Sequence, residues 1–195
     1  MIEVKVISSV LDIQHSELKE IAKLHIAEMS ETLSSMRGEE TVADLYKRLL
    51  CTGGCIVLTI KELKIVGVLS YTSDYKNVAS LRAVIDRPKS WFRVILRIGI
   101  VKSLLAISDS YKISRKVKRY NDQMLYITTL FVERHNQNLG LATLMFNHVK
   151  NQKNEGNRSI MVDTKLDNMR ATQFYRSKGM IEYARTPFSV ILKYD

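Results

Sequence analysis

Apolar residues recur along this chain with two spacings, and the switches between them lay out its elements. Residues 2–7 predict a first strand. From His15 to Met29 the positions Leu18, Ile21, Ala22, Leu24, Ile26 and Met29 keep a helical spacing. Glu39 to Leu50 repeats it with Val42, Leu45, Leu49 and Leu50, and Gly53–Gly54 ends that helix. CIVLTIK (55–61) and KIVGVLSYTSD (64–74) predict two strands, and their short link predicts a hairpin. After a long intervening segment, MLYITTLFV (124–132) predicts a strand and Asn138 to Asn151 a helix. RSIMVDTK (158–165) is a strand, and Asn168 to Lys178 a helix closed by Gly179. MIEYA and FSVILKY, split by Pro187, are the last two strands. The expected order is β-α-α-β-β-insertion-β-α-β-α-β-β, with no internal repeat and no low-complexity tract.

Composition narrows the class. The 195 residues suit one domain, or one domain with an insertion, and 46% hydrophobic residues predict a packed core. Two prolines and eight glycines are too few for a linker-rich or disordered chain. Cys51 and Cys55, spaced CTGGC, have no second pair and no histidine cluster to complete a zinc site. Free thiols in a reducing cytoplasm are expected, and no metal. The N-terminal MIEVKVISSVLDIQHSELKE lacks a basic stretch followed by an apolar one, so no signal peptide is expected. No stretch is long and apolar enough for a transmembrane helix.

Charge is unevenly spread. Of the net charge of +10, nearly all lies between Arg82 and Arg119, where eleven basic residues face only Asp86 and Asp109. The rest of the chain is close to neutral.

The turn QNLGLA (137–142) couples the strand at 124–132 to the next helix, and it places Gly140 in the helix's expected first turn. A helix N-terminus offers unpaired N–H groups and a positive dipole end, both suited to phosphate oxygens. A Cβ would block close approach of a pyrophosphate, and Gly140 and the small Ala142 leave room. Close packing of the helix on its strand is the other use for the glycine, and the loop alone does not choose. The spacing fits neither a Rossmann loop nor a P-loop.

VERHNQNLGLA (132–142) resembles the pyrophosphate loop of the GNAT acyltransferase superfamily, with Arg134 where proline is usual. NMRATQFYRSKGM (168–180) is similar to that family's second motif, with Met180 for a final phenylalanine. The resemblance is clear over about 120–195 and extends to the N-terminal half through element order. It implies the GNAT fold: a mixed, mostly antiparallel central sheet flanked by helices. Here a single domain, 1–195, would carry a basic helical insertion at 75–122, before the central strand. It implies an N-acyltransferase that uses acetyl-CoA, or another acyl-CoA, as co-substrate. Gln137, Asn138, Leu139, Gly140, Leu141 and Ala142 would hold the pyrophosphate through backbone N–H groups. Leu130, Phe131 and Val132 would pair with the pantetheine amides like an added strand. Asn168, Ala171 and Tyr175 would complete the cofactor site.

The resemblance assigns Tyr175 the proton donated to the departing thiolate. Phe174, beside it, is a core aromatic. The base is open. The family's usual glutamate position on the central strand is Tyr126 here, with Thr128 and Thr129 nearby. Glu133 in the loop and Glu28 on the first helix are the carboxylates on offer, and His25 reads as a satisfied helix histidine. A water chain is the remaining route.

Three uses compete for the insertion. SWFRVILRIGIVKSLLAI (90–107) is expected to be one helix, apolar nearly all round. It can pack on the domain or on a second copy in a homodimer, with its basic heads in water. Its charge can hold an anionic acceptor. Residues 82–119 can also lie on an anionic membrane surface, at the inner face. Nucleic acid is not expected, because no binding motif or stacking face accompanies the charge. The first two predicted helices weakly resemble GNAT proteins of bacterial surface-polysaccharide clusters, which implies an amino sugar or nucleotide-linked amino sugar as acceptor. A protein lysine or peptide acceptor, and a CoA-binding peripheral membrane protein with little catalysis, are the alternatives.

Overall fold

The structure is a computed structural model and describes residues 1–74, 88–117, 124–156 and 158–195. Its elements run β1 (Ile2–Ile7), α1 (His15–Glu28), α2 (Leu33–Arg37), α3 (Glu39–Cys51), β2 (Cys55–Lys61), β3 (Lys64–Thr72), α4 (Pro88–Ile98) and α5 (Ile100–Val117). β4 (Met124–Val132), α6 (Leu141–Gly156), β5 (Ser159–Lys165), α7 (Met169–Ser177), β6 (Ile181–Arg185) and β7 (Ser189–Tyr194) follow. This is the expected α/β architecture, with strands β2 and β4 at their expected bounds. The hairpin link is Glu62–Leu63, both with positive φ, the backbone of the tight turns that match strand twist.

Three local expectations change. The short α2 carries too few residues for a periodic signal; Thr32 caps it by accepting the Ser35 N–H. The helix expected over 90–107 is two helices, broken at Gly99 in the left-handed region. The Gly99 carbonyl accepts both the Ser103 N–H, at 3.1 Å, and the Ser103 hydroxyl, at 2.7 Å, at the start of the second helix. The helix expected from Asn138 begins at Leu141, because Asn138 and Gly140 both have positive φ and cannot lie in a right-handed helix. The ends of the insertion, 75–87 and 118–123, fall outside the described residues, and with them Arg82, Arg87, Lys118 and Arg119.

The seven strands form one sheet in the order β1-β2-β3-β4-β5-β7-β6. Every pairing is antiparallel except β4 with β5, which the α6 crossover makes parallel. That parallel pairing is short. It covers Met124–Ile127 against Ser159–Val162, and then the strands part. The parting coincides with a bulge. Ser70 of β3 faces Thr129 and Tyr71 faces Ile127, so Thr128 is an extra residue on β4. A bulge bends its strand and increases the local twist.

One face of the sheet is covered by α6 and α7: Leu141, Met145, Phe146, Val149 and Tyr175 pack with Leu69, Leu125, Ile127, Val162 and Leu192. The opposite face holds two separate clusters. Under α1 and α3, residues including Ile21, Tyr46 and Leu49 meet Ile56, Leu58, Val68 and Phe131. Under α5, Ile113 and Val117 meet Met124, Tyr126, Met161 and Ile191. The extra Thr128 keeps both Tyr126 and Phe131 on this face, although their odd spacing would otherwise put them on opposite sides. Among the described residues no helix is long and apolar enough to cross a membrane. Cys51 and Cys55 are free thiols, Cys51 exposed.

A buried chain of polar groups ties the α1 cluster to the bulge. His25 Nδ1 meets the Tyr46 hydroxyl at 2.8 Å, and its Nε2 meets Ser34 Oγ at 3.2 Å. Tyr46 Oη reaches Thr129 Oγ1 at 3.3 Å, and Ser70 Oγ lies 2.5 Å from Thr129 Oγ1 and 2.6 Å from Thr128 Oγ1. Burial pulls the His25 pKa down to about 4. Folded His25 therefore stays neutral where the unfolded chain, with an ordinary value of 6.5, takes a proton. Its contribution to stability is full above about pH 6.5 and falls by roughly 1.4 kcal/mol per pH unit toward pH 4. Denaturant midpoints across that range should show the loss, and His25→Gln should remove that part of the slope.

Candidate functional site

The parted strands open a cleft of about 620 Å³. Leu130, Phe131 and Val132 of β4 form one wall, and Asn168 and the outer residues of α7 the other. The loop after β4 and the first turn of α6 close one end, and Glu28 and Met29 reach in from α1.

The loop is held by its own side chains. Glu133 N–H donates to the Val66 carbonyl at 2.8 Å, which keeps the chain on the sheet one residue past β4. A single turn of 3-10 helix, Arg134–Asn136, follows. Gln137 then works in both directions: its Nε2 donates to the Val132 carbonyl at 2.8 Å, and its Oε1 accepts from Arg170 Nη1 at 2.6 Å. Gly140, with φ +78°, makes the last reversal before α6. A Cβ there would meet nothing within 4 Å. Close packing on the strand is therefore not the reason for the glycine; the left-handed backbone is. The first-turn N–H groups of α6 have no partner within the helix, and Leu141, Ala142 and Thr143 line the cleft. They present the positive end of a sixteen-residue helix to it.

Of the residues expected to hold the cofactor, Leu130, Phe131, Val132, Gln137, Asn138, Gly140, Leu141, Ala142, Asn168, Ala171 and Tyr175 all line this one cleft. Leu139 does not, and its side chain is exposed. Asn168 is also the cap of α7, its Oδ1 accepting the Ala171 N–H at 3.1 Å. The expected set lacks Asn136, Thr143, Arg170 and Gln173. Arg170 stands two residues after Asn168 in the second motif, and its one signal was a cation at a helix N-terminus.

Tyr175 is buried on the cleft's inner wall, its ring against Phe146 and Phe174. Burial raises its pKa, and the negative charge of Asp163 raises it further, so the hydroxyl keeps its proton across the working range. Phe174 packs edge-on to Phe146 but is half-buried and also lines the cleft, so it is not a wholly core aromatic. Glu28 lines the cleft, and its Oε1 accepts the Arg134 N–H at 3.1 Å. Glu133 lies outside the cleft's lining, its carboxylate accepting from Asn136 Nδ2 at 2.6 Å. Tyr126 is buried and donates its hydroxyl hydrogen to Asp163 on β5. His25 is buried and hydrogen-bonded. Among the described residues no group of three or more His, Cys, Asp or Glu is placed to hold a metal.

Comparison with known proteins meets this geometry. The family model described as the acetyltransferase (GNAT) family matches residues 110–180, which span β4, the loop, α6, β5 and α7. A comparison with curated protein sequences finds no match. Solved structures share the fold. A protein of Pyrococcus horikoshii OT3 superposes with a TM-score of 0.63 at 12% identity, over 98% of this chain and 97% of that one. The ribosomal-protein-S18-alanine N-acetyltransferase of Escherichia coli gives 0.56 at 12%, over 98% and 92%. The PaiA N-acetyltransferase of Thermoplasma acidophilum, solved in complex with coenzyme A, gives 0.58 at 8%, over 99% of both chains. Residues 110–180 match the GNAT acetyltransferase family, and the chain shares its fold with solved members of that family, which supports acetyl transfer from acetyl-CoA.

Gly140→Ala should be strained whatever the space around it. The left-handed backbone costs a residue with a Cβ about 1–2 kcal/mol, and thermal unfolding should show that loss. Acetyl-CoA affinity should fall on the order of tenfold by calorimetry, because the loop's N–H groups are re-aimed.

Proposed function

We propose that this enzyme acetylates the primary amine of a small molecule, with an amino sugar, free or nucleotide-linked, as the acceptor class. The observation that carries the reading is the cleft itself. It joins unpaired helix N–H groups at one end to a buried tyrosine hydroxyl on its inner wall. The cofactor would lie along Leu130 to Val132, with its pyrophosphate at Gln137 to Ala142 and Arg170 at the mouth. The amine attacks the thioester carbonyl and a C–N bond forms. As the C–S bond breaks, Tyr175 gives its proton to the thiolate and recovers one from the amine nitrogen.

A small acceptor is favoured over a peptide because α5 covers the sheet's other face over β4, β5 and β7, and α4 packs on α2. An extended polypeptide would find that face roofed. An acceptor screen with acetyl-CoA decides the class. Amino sugars and their nucleotide conjugates should release thiol, and faster turnover of protein or peptide amines would contradict the proposal. Tyr175→Phe should lower kcat roughly 10²-fold and leave acetyl-CoA affinity unchanged. With wild type, the tyrosine-dependent rate should hold through alkaline pH, since the hydroxyl's pKa is raised.

A second reading concerns the insertion. Phe92, Leu96, Ile100, Val101, Leu104 and Leu105 are exposed large apolar residues on α4 and α5, with Arg97 and Lys102 exposed among them. Apolar groups interleaved with cations favour an anionic bilayer surface. Sedimentation with vesicles rich in phosphatidylglycerol should pull the protein down, and Leu104→Glu together with Lys102→Glu should release it. Equal sedimentation with neutral vesicles would contradict the electrostatic part.

A further inference from the structure

The acetyltransferase mechanism needs a group that frees the acceptor amine of its proton, and the central strand offers none, since its candidate position is Tyr126. The neighbouring strand does. Asp163 is the first residue of β5 beyond the last one paired with β4, so it stands where the two strands part. It points to the face opposite Tyr175, among the residues under α5, and Tyr126 on β4 donates a hydrogen bond to it. The neighbours before and after it, Val162 and Thr164, are buried, whereas Asp163 is half-buried. Thr128 and Leu130, across the parting on β4, are half-buried too.

A second carboxylate comes from the insertion. Asp109 lies on the stripe of α5 that faces the sheet, one turn before Ile113 and two before Val117. It is only 6% exposed. Its Oδ2 accepts from Ser189 Oγ at 2.9 Å, but its Oδ1 is buried with no hydrogen-bond donor. A buried carboxylate oxygen without a donor is unfavourable, and a cationic ligand would relieve it. The basic residues of the same helix, Lys102, Lys112, Arg115 and Lys116, are exposed instead. Helix α5 thus turns its cations to solvent and an acid to the sheet.

We propose that Asp163 is the general base of the reaction, and that Asp109 beside it completes an acidic subsite for the acceptor's ammonium group. The class of acceptor this selects is a cationic primary amine. The inference rests on the acetyl-transfer reading given above and names the acceptor half of that same site. The ammonium N–H proton passes to an Asp163 carboxylate oxygen. The free amine then attacks the thioester carbon from the side opposite Tyr175, and the C–S bond breaks as the thiolate takes the Tyr175 proton. The nitrogen's remaining surplus proton restores the tyrosine, and Asp163 gives its proton to water when the amide leaves.

The surroundings set the pH behaviour. The groups acting on Asp163 are the Tyr126 hydroxyl from β4 and Asp109 from α5, and its own charge reaches Tyr175 on α7. Burial raises its pKa, the Tyr126 hydrogen bond opposes that, and the Asp109 charge adds to it. A base must be ionised, so the rate is present above this raised value and lost as pH falls through it.

Thiol release from acetyl-CoA, with glucosamine and spermidine as amine probes and water hydrolysis as the floor, tests the assignment across pH. Wild type should show an acid limb. Asp163→Asn, which keeps an acceptor for Tyr126, should lose 10²-fold or more in rate and lose that limb, with acetyl-CoA affinity and melting temperature near wild type. Asp163→Glu should restore part of the rate. Asp109→Asn should move the limb to lower pH, because one like charge is gone. Retention of wild-type rate and pH profile by Asp163→Asn overturns the proposal, as does a wild type that binds acetyl-CoA and releases thiol with no acid limb. Wild type that binds acetyl-CoA yet releases no thiol with either probe or water overturns it too. Failure of wild type to bind acetyl-CoA would instead overturn the acetyl-transfer reading beneath it.

Discussion

The structure turns on the point where β4 and β5 stop pairing. Four residues of each strand are hydrogen-bonded, and then an extra residue on β4 bends that strand away toward β3. Two consequences follow from this one irregularity. Past the parting, β4 presents unpaired backbone toward the cleft, which can take an added strand-like ligand. Tyr175 on one side of the parting also lies close enough to Asp163 on the other for that carboxylate's charge to raise its pKa. A continuous parallel pair would have neither the cleft nor the connection.

The bulge is held by polar groups. Ser70 meets both Thr128 and Thr129, and Tyr46 and His25 extend the contact into the α1–α3 cluster. Buried polar chains of this kind specify one geometry when all members are satisfied. His25 here serves the fold. Its two ring nitrogens are occupied, and its ring edges abut Tyr46 and Phe131.

Much of this was legible in the residues. The strands and long helices follow from apolar spacing, and eleven of the twelve residues assigned to the cofactor by resemblance line one cleft. What was not legible depended on backbone conformation or on tertiary neighbours. Gly99 sits inside an unbroken apolar pattern, and only its positive φ shows the break. Gly140 looked like a weak residue within a helix, but it precedes the helix. Asp163 reads as a polar position in an alternating strand, and Asp109 as a lone acid in a basic helix. Nothing local relates residues 54 positions apart; the order β4-β5-β7 and the seat of α5 bring them together. The charges of the insertion left packing with basic heads in water, an anionic acceptor and a membrane surface open, and on α5 Lys102, Lys112, Arg115 and Lys116 face outward.

Cofactor and acceptor are thus assigned to opposite faces of one opening, the first by a loop and the second by the insertion. The most direct test of that division is a backbone amide NMR titration with acetyl-CoA. Saturable shifts are expected at Leu130 to Val132 and Gln137 to Thr143, with the amides of β1 and α3 unmoved. Saturable shifts confined to α4 and α5, or none at the loop, would contradict it.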